Sequence, residues 1–267
     1  MAPIEFNGTP AEEITVNGQV VDEVTANGQL VYQAGPDIPD SEDYQVAIKS
    51  VEDISDGIVE TELTKQADHI WYMDEGSGST VGDSEGTEDG SISSASWVSG
   101  DGAGGVQLDF SDDNGVVEFG EIMQDETKLT FSAWCIHDGS TGQYLAHQAV
   151  TDGLVVWTDS DDTGSWMVTW DGTSESSEPA TTNEWVLVTV TIDGSDVRLY
   201  ENDANLVYDK SIDGSPSWNG QFDIGNRATD LDRPWNDKID FPLLAPGSVA
   251  SESEITDHYE ETVDFYS

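Results

Sequence analysis

The chain has 267 residues, of which 55 are Asp or Glu and 8 are Lys or Arg, for a formal net charge of −47. That charge excludes direct binding to nucleic-acid phosphates or anionic lipid surfaces, because no cluster of Lys or Arg offers a local exception. It also opposes a compact state at ordinary ionic strength. Salt above about 1 M cuts the screening length to about 3 Å, so the composition reads as adaptation to a hypersaline environment.

A disordered acidic chain is ruled out by nine Trp, eight Tyr and seven Phe spread through strand-like runs. No apolar run approaches the roughly 20 residues of a membrane-spanning helix, so no membrane insertion is expected. The start, Met1-Ala-Pro-Ile-Glu-Phe, carries neither the basic region nor the apolar core of a secretory leader. Cys135 is the single cysteine, which excludes a disulfide within the chain and leaves it as a small buried hydrophobe beside Trp134.

Residues 1–33 contain an internal repeat, Ile14-Thr-Val-Asn-Gly-Gln-Val-Val21 and Val24-Thr-Ala-Asn-Gly-Gln-Leu-Val31, offset by ten residues, with a third Asn-Gly at Asn7-Gly8. Asn-Gly between β-formers marks a hairpin, since both residues tolerate the positive φ of a type I′ turn. A small β-meander is predicted, and strands this short need a further surface. The segment therefore reads as a docking module, contacting other copies of the chain in a homo-oligomer or a larger assembly. Residues 34–66, opening with Ala34-Gly-Pro-Asp-Ile-Pro-Asp-Ser-Glu-Asp43, read as an acidic linker; a helical pattern runs over Val51 to Asp68, interrupted by Gly57.

From residue 67 to 267 short apolar runs alternate with Gly, Ser and Asp clusters, the pattern of an all-β antiparallel sandwich or jelly roll. Val186, Val188 and Val190 alternate with Leu187, Thr189 and Thr191, the period of a strand. Near the end, Ser251 with Glu254 three residues on signals a capped helix through Glu260.

Three features bear on function. Trp166 and Trp170 share one face of a strand with Val168, where they either stack on sugar rings or fill the core. Trp157, Trp218 and Trp235 lie in or beside loops rich in Asp and Asn, and Trp218 with Asn219 and Trp235 with Asn236 are read as surface sugar-binding pairs. Asp83, Glu85, Thr87 and Asp89 alternate with Gly86 and Gly90, oxygen ligands at a spacing calcium uses, or solvated acids of a halophilic surface. No catalytic residue is assigned. Glu121-Ile-Met-Gln-Asp-Glu126 lacks the Glu-x-Asp-x-x-Glu spacing of laminarinase-type glycosidases, and the histidines 69, 137, 147 and 258 are scattered.

The run His69 to Phe119 resembles the opening of laminin-G-like domains of the concanavalin-A-like lectin and glucanase family: an aromatic strand closed by Asp-Glu-Gly-Ser-Gly, then Val-Gly-Asp-Ser, Asp-Gly, Trp-Val, Gly-x-Gly and Leu-x-Phe. Leu129-Thr-Phe-Ser-Ala-Trp134 resembles the family's first long core strand, and Trp185 to Ile192 with Asp193-Gly194 its central hairpin. Arg198-Leu-Tyr-Glu-Asn202 follows, with Asn202-Asp203-Ala204-Asn205 in place of the usual Asn-Gly turn. Phe222-Asp-Ile-Gly225, Lys238-Ile-Asp240 and Ser251 through Tyr259 match the closing pattern. The resemblance covers about residues 67–262 and implies carbohydrate binding. It further implies a structural calcium between the early loop at Asp83 and Asp89 and the Ile239-Asp240 step.

The Asn-Gly-Gln repeat resembles N-terminal pieces of structural proteins of haloarchaeal tailed viruses. Together these readings give an expected virion surface protein of a halophilic archaeal virus (tail fibre, baseplate or head turret), attaching to a host glycan or glycoprotein and bound to other virion proteins through residues 1–33. A capsid or tail decoration protein without lectin activity, and a haloarchaeal cell-surface adhesin, stand as alternatives.

Overall fold

The computed structural model describes residues 59–267, except 101, 103–104, 112–113, 123–125, 149–152, 160–163, 171–172, 212–219 and 267, together with six short strands among the first 58; side chains are described from Val59 on, apart from those of residues 170 and 173–178. The chain divides into two compact units, Met1–Ile58 and Val59–Ser267.

In the first unit β1 (Glu5–Phe6) pairs with β2 (Thr9–Pro10), β3 (Thr15–Val16) with β4 (Gln19–Val20), and β5 (Glu23–Ala26) with β6 (Gln29–Gln33). The pairs Phe6–Thr9, Val16–Gln19 and Ala26–Gln29 bracket Asn7-Gly8, Asn17-Gly18 and Asn27-Gly28, so the Asn-Gly signal located each hairpin. The expected single meander is corrected to three separate two-stranded hairpins: each ladder closes on its own two-residue loop, and among the described residues none joins one hairpin to the next. Residues 34–58, with most of the expected linker and the first part of its helical pattern, lie outside the described residues.

The second unit begins before the expected boundary at residue 67. Val59 and Leu63 are buried and Thr64–Gln66 forms one 3-10 turn, so this stretch belongs to the sandwich rather than to a linker.

Two antiparallel sheets make the sandwich. The first contains β7 (His69–Ile70), β10 (Ser96–Ser99), β11 (Val106–Asp109), β13 (Lys128–Ile136), β18 (Trp185–Asp193), β19 (Asp196–Glu201), β20 (Asn205–Ser211) and β22 (Lys238–Pro246), in the order β10-β11-β22-β13-β18-β19-β20 with β7 also on β22. The second contains β8 (Thr80–Val81), β9 (Gly90–Ser93), β12 (Val116–Glu118), β14 (Tyr144–Gln148), β15 (Val155–Thr158), β16 (Ser165–Trp170), β17 (Thr173–Pro179) and β21 (Phe222–Ile224), in the order β17-β16-β15-β14-β21-β12-β9-β8. The departure at 202–205 keeps its hairpin: Asn202 and Ala204 take positive φ, and the Asn202 Oδ1 accepts from the Leu187 N–H.

The long strands of the first sheet are buried on both faces, and their sequences are apolar nearly throughout for that reason. Leu129, Phe131, Ala133 and Cys135 of β13 and Val186, Val188, Val190 and Ile192 of β18 point between the sheets. Trp134, Leu187, Phe241, Leu243 and Ala245 point the other way, into a second cluster with Val59, Leu63, Ile255 and Tyr266. Cys135 is buried as expected, and burial, with Glu201 and Asp237 nearby, pushes its thiol well above the ordinary range.

What covers this outer face is α1 (Glu252–Thr262), which starts at the expected Ser251. The Ser251 hydroxyl accepts from the Glu254 N–H and the Glu254 carboxylate from the Ser251 N–H, a reciprocal capping box. The Trp134 indole N–H donates to Thr262 Oγ1 at 3.0 Å and its ring stacks on Tyr266 at 4.2 Å. His258 is fully buried here, its Nδ1 3.1 Å from the Thr61 hydroxyl. Burial depresses its pKa to about 3. The second sheet's outer face has no such cover among the described helices.

Candidate functional site

The outward side chains of the second sheet follow from its register. One row crosses six strands through Ser91, Glu118, Asp223, His147, Val155 and Thr169. A shorter parallel row runs Tyr144, Trp157, Met167. The alternating positions Ile92, Val117, Ile224, Ala146, Val156 and Val168 belong to the core between the sheets. A register shift between Tyr144 and Ala146 turns both Leu145 and Ala146 inward, so Tyr144 and His147 share the outer face although they stand three positions apart.

Aromatic rings gather there. Tyr144 stacks on His147 with centroids 5.4 Å apart and planes at 14°, and meets Trp157 edge-on at 5.7 Å. The Trp157 indole N–H is fixed by Thr169 Oγ1 at 3.1 Å. Polar groups surround this corner. Asp223 is fully buried and accepts from the Gln221 amide (2.8 Å) and the Ala228 N–H (3.0 Å), with His147 Nδ1 at 3.5 Å. Gln221 also donates to Glu118 at 3.0 Å, tying the two carboxylates together.

A loop after β21 forms the wall. Gly225 opens it at φ +82°, where a Cβ would run into the Phe110 ring, so only glycine fits. The Asn226 Oδ1 accepts from the backbone N–H groups of both Arg227 (2.8 Å) and Arg233 (3.1 Å), and Tyr144 N–H donates to the Arg233 carbonyl at 3.0 Å. Arg227 lies 6.0 Å over the Tyr144 ring, its guanidinium donating to both Asp232 oxygens at 2.8 Å.

The residues expected at a sugar site are mostly elsewhere. Trp235 is corrected from surface to core: it is fully buried, its indole N–H donates to the Ile136 carbonyl at 2.9 Å, and it stacks on Trp166. Its neighbour Asn236 is half-buried, with its carbonyl on the Ser111 hydroxyl. Trp166 is likewise core, 1% exposed, held by the buried Glu201 carboxylate at 2.6 Å, so of its two readings packing is the observed one. Trp218 and Asn219 lie outside the described residues, as does the Trp170 side chain. Trp157, read from the sequence as a loop-edge aromatic, is half-buried on the outer face, while Tyr144, His147 and the two arginines gave no signal of their own.

The calcium expectation does not fit the side chains present. The Asp83 carboxylate is wholly enclosed and filled by donors: His69 Nδ1 at 2.7 Å and the backbone N–H groups of Ile70, Glu85, Gly86 and Glu88 at 3.0–3.3 Å. Burial acts to raise its pKa, but the His69 bond and the backbone donors outweigh it and hold the carboxyl below the ordinary range. Inward-pointing N–H dipoles leave no lone pairs for a cation. Asp89 Oδ1 accepts from the Asp83 N–H, and Asp240 Oδ2 accepts from the Tyr266 hydroxyl at 2.8 Å. Among the described residues no three His, Cys, Asp or Glu gather as metal ligands.

No curated protein sequence matches the chain significantly. Domain 4 of AbnA, a GH43 extracellular arabinanase from Geobacillus stearothermophilus solved with arabinotriose, superposes with a TM-score of 0.58 at 15% identity, over 72% of this chain and 98% of that one. The Trypanosoma rangeli sialidase gives 0.57 at 13% identity over 75% of this chain but 33% of its own. The ligand-binding domain of botulinum neurotoxin serotype D, solved with N-acetylneuraminic acid, gives 0.58 at 13% over 74% and 51%. At these identities the likeness is one of fold, and this chain spans a third of the sialidase and half of the toxin domain. The family model of the concanavalin A-like lectin/glucanases superfamily matches residues 102–245, more than half of the chain and, apart from the last residue of β22, all of β11 to β22. The chain belongs to the concanavalin A-like lectin/glucanase superfamily.

Proposed function

We propose that the chain is a glycan-binding module, and that it serves as a surface protein of a halophilic archaeal virus that attaches to a host glycan or glycoprotein. The observation that carries the binding reading is the corner on the outer side of the second sheet where the half-buried rings of Tyr144 and Trp157 meet, edged by His147, Gln221 and Glu118. Aromatic faces take the apolar side of a sugar ring, and the neighbouring amides and carboxylates take its hydroxyls. Superfamily membership supports the same ligand class, as do the arabinotriose and N-acetylneuraminic acid in the structures of similar fold. Binding is favoured over hydrolysis because Glu118 and Asp223, the paired carboxylates of this face, both hold the Gln221 amide, and Asp223 is enclosed.

The attachment role rests on the sequence: a charge of −47 suited to hypersaline medium, and the Asn-Gly repeat whose three hairpins would anchor the chain to other virion proteins or to further copies of itself. The test uses the whole chain in several-molar KCl, mixed with haloarchaeal cell envelopes before and after enzymatic removal of glycans. Glycan-dependent binding that is lost in Trp157→Ala is the expected result. Binding that survives both treatments would overturn the assignment and favour a decoration protein.

A further inference from the structure

We propose that the saccharide taken on this face is anionic, carrying a carboxylate or a sulfate that Arg233 receives; the inference rests on the glycan-binding reading above. The chain has only three arginines, and two of them, Arg227 and Arg233, stand in one short loop against the aromatic corner. The Asn226 side chain holds both backbones to a single oxygen, and the loop is tied to the sheet through the Arg233 carbonyl on the Tyr144 N–H and the Ala228 N–H on Asp223.

The acids around the corner are already engaged. Asp230 and Asp232 pair with Arg227 at 3.2 and 2.8 Å, Asp223 holds Gln221 and the Ala228 N–H, and Glu118 holds Gln221. Arg198, the third arginine, lies 3.5 Å from Asp209 on the other sheet. Among the described residues Arg233 is the arginine without a carboxylate partner, and it is half-buried. In a chain with 55 acids, an arginine that pairs with none of the described ones, in a loop bonded to an aromatic platform, suits the role of receptor for an acid from outside. Its planar fork suits the paired oxygens of a carboxylate or sulfate, which a lysine would meet only as a point charge. The net charge of the chain does not forbid this. At about 1 M salt and above, repulsion is screened within about 3 Å, and direct hydrogen bonds decide the encounter.

The test is calorimetric titration in KCl with two matched pairs of probes: an oligogalacturonate against its methyl ester, and a sulfated galactan oligosaccharide against the unsulfated one. The wild type is expected to favour one or both anionic probes by about tenfold or more, the scale of a charge-assisted hydrogen-bonded pair. Arg233→Gln should bring that preference close to one while keeping the weaker neutral binding, and Arg233→Lys should retain part of it. Trp157→Ala should lose all probes alike. Equal binding of charged and neutral probes by the wild type, or an acid preference that survives Arg233→Gln, overturns this inference and leaves the glycan-binding reading in place. Binding that survives Trp157→Ala, or failure of the wild type to bind any of the four, overturns the glycan reading and this inference with it. Melting curves in the same buffer identify a variant that has not folded, in which case Arg233→Lys carries the comparison.

Discussion

The two sheets of the sandwich share a core but differ on their outer faces, and the difference separates stability from recognition. On the first sheet Trp134, Phe241 and Leu243 are sealed beneath α1 and the stretch from Val59, and the Trp134 indole N–H and the Tyr266 hydroxyl are both bonded within the seal. On the second sheet Trp157 and Tyr144 stay within reach of solvent, fixed by side-chain contacts rather than covered. The same residue type thus does two jobs, decided by whether an element follows to cover it.

The contrast breaks if the two faces respond alike to truncation. Trp134→Ala should cost about 3–5 kcal/mol by thermal melts in concentrated KCl, through the cavity it leaves and the lost stack on Tyr266. Trp157→Ala should cost about 1 kcal/mol or less, since its ring is only half-buried. Equal losses would mean that the second face is a structural surface.

Acid sharpens the contrast, because the sealed face hides a histidine. The folded-state pKa of His258, about 3, lies below its ordinary 6.5, so the unfolded chain binds the extra proton between those values. Its contribution is complete above pH 6.5 and is lost as pH falls toward 3, amounting to about a few kcal/mol. Protonation of the surface acids relieves repulsion over the same range, so the measurement is the difference between wild type and His258→Gln across pH 3–7. That difference should shrink steadily with acid; a constant difference would show that burial of the ring is not what the seal depends on. The smallest effect is at the cap. Ser251→Ala should lower stability by about 1 kcal/mol without altering ligand binding, and a change in binding would couple the faces.

Much of the fold was legible because its signals are local. Lys128–Ile136 and Trp185–Asp193 are apolar on both faces since both faces are covered, Ser251 and Glu254 announce their cap, and Asn-Gly marks each small hairpin. The site was less legible because it depends on register and on loops. The shift between Tyr144 and Ala146 puts Tyr144 and His147 on one face at a spacing of three, which the two-residue period of a strand assigns to opposite faces. Trp235 sits among Asp, Arg and Asn in sequence, yet Gly225 accepts its backbone N–H at 2.7 Å and the Ile136 carbonyl its indole, which draws the ring into the core. Asp83 reads in sequence as one acid of a loop, since the four backbone donors and His69 converge on it only after the loop has closed.

Ligand should meet the aromatic corner of the second sheet, and the indole N–H resonances of the tryptophans report on each ring separately. In a proton–nitrogen correlation spectrum titrated with a saccharide the protein binds, the Trp157 resonance should move, while those of Trp134, Trp166 and Trp235, each bonded inside the protein, should stay. A Trp157 signal that stays in place while ligand binds would show that the ligand sits elsewhere.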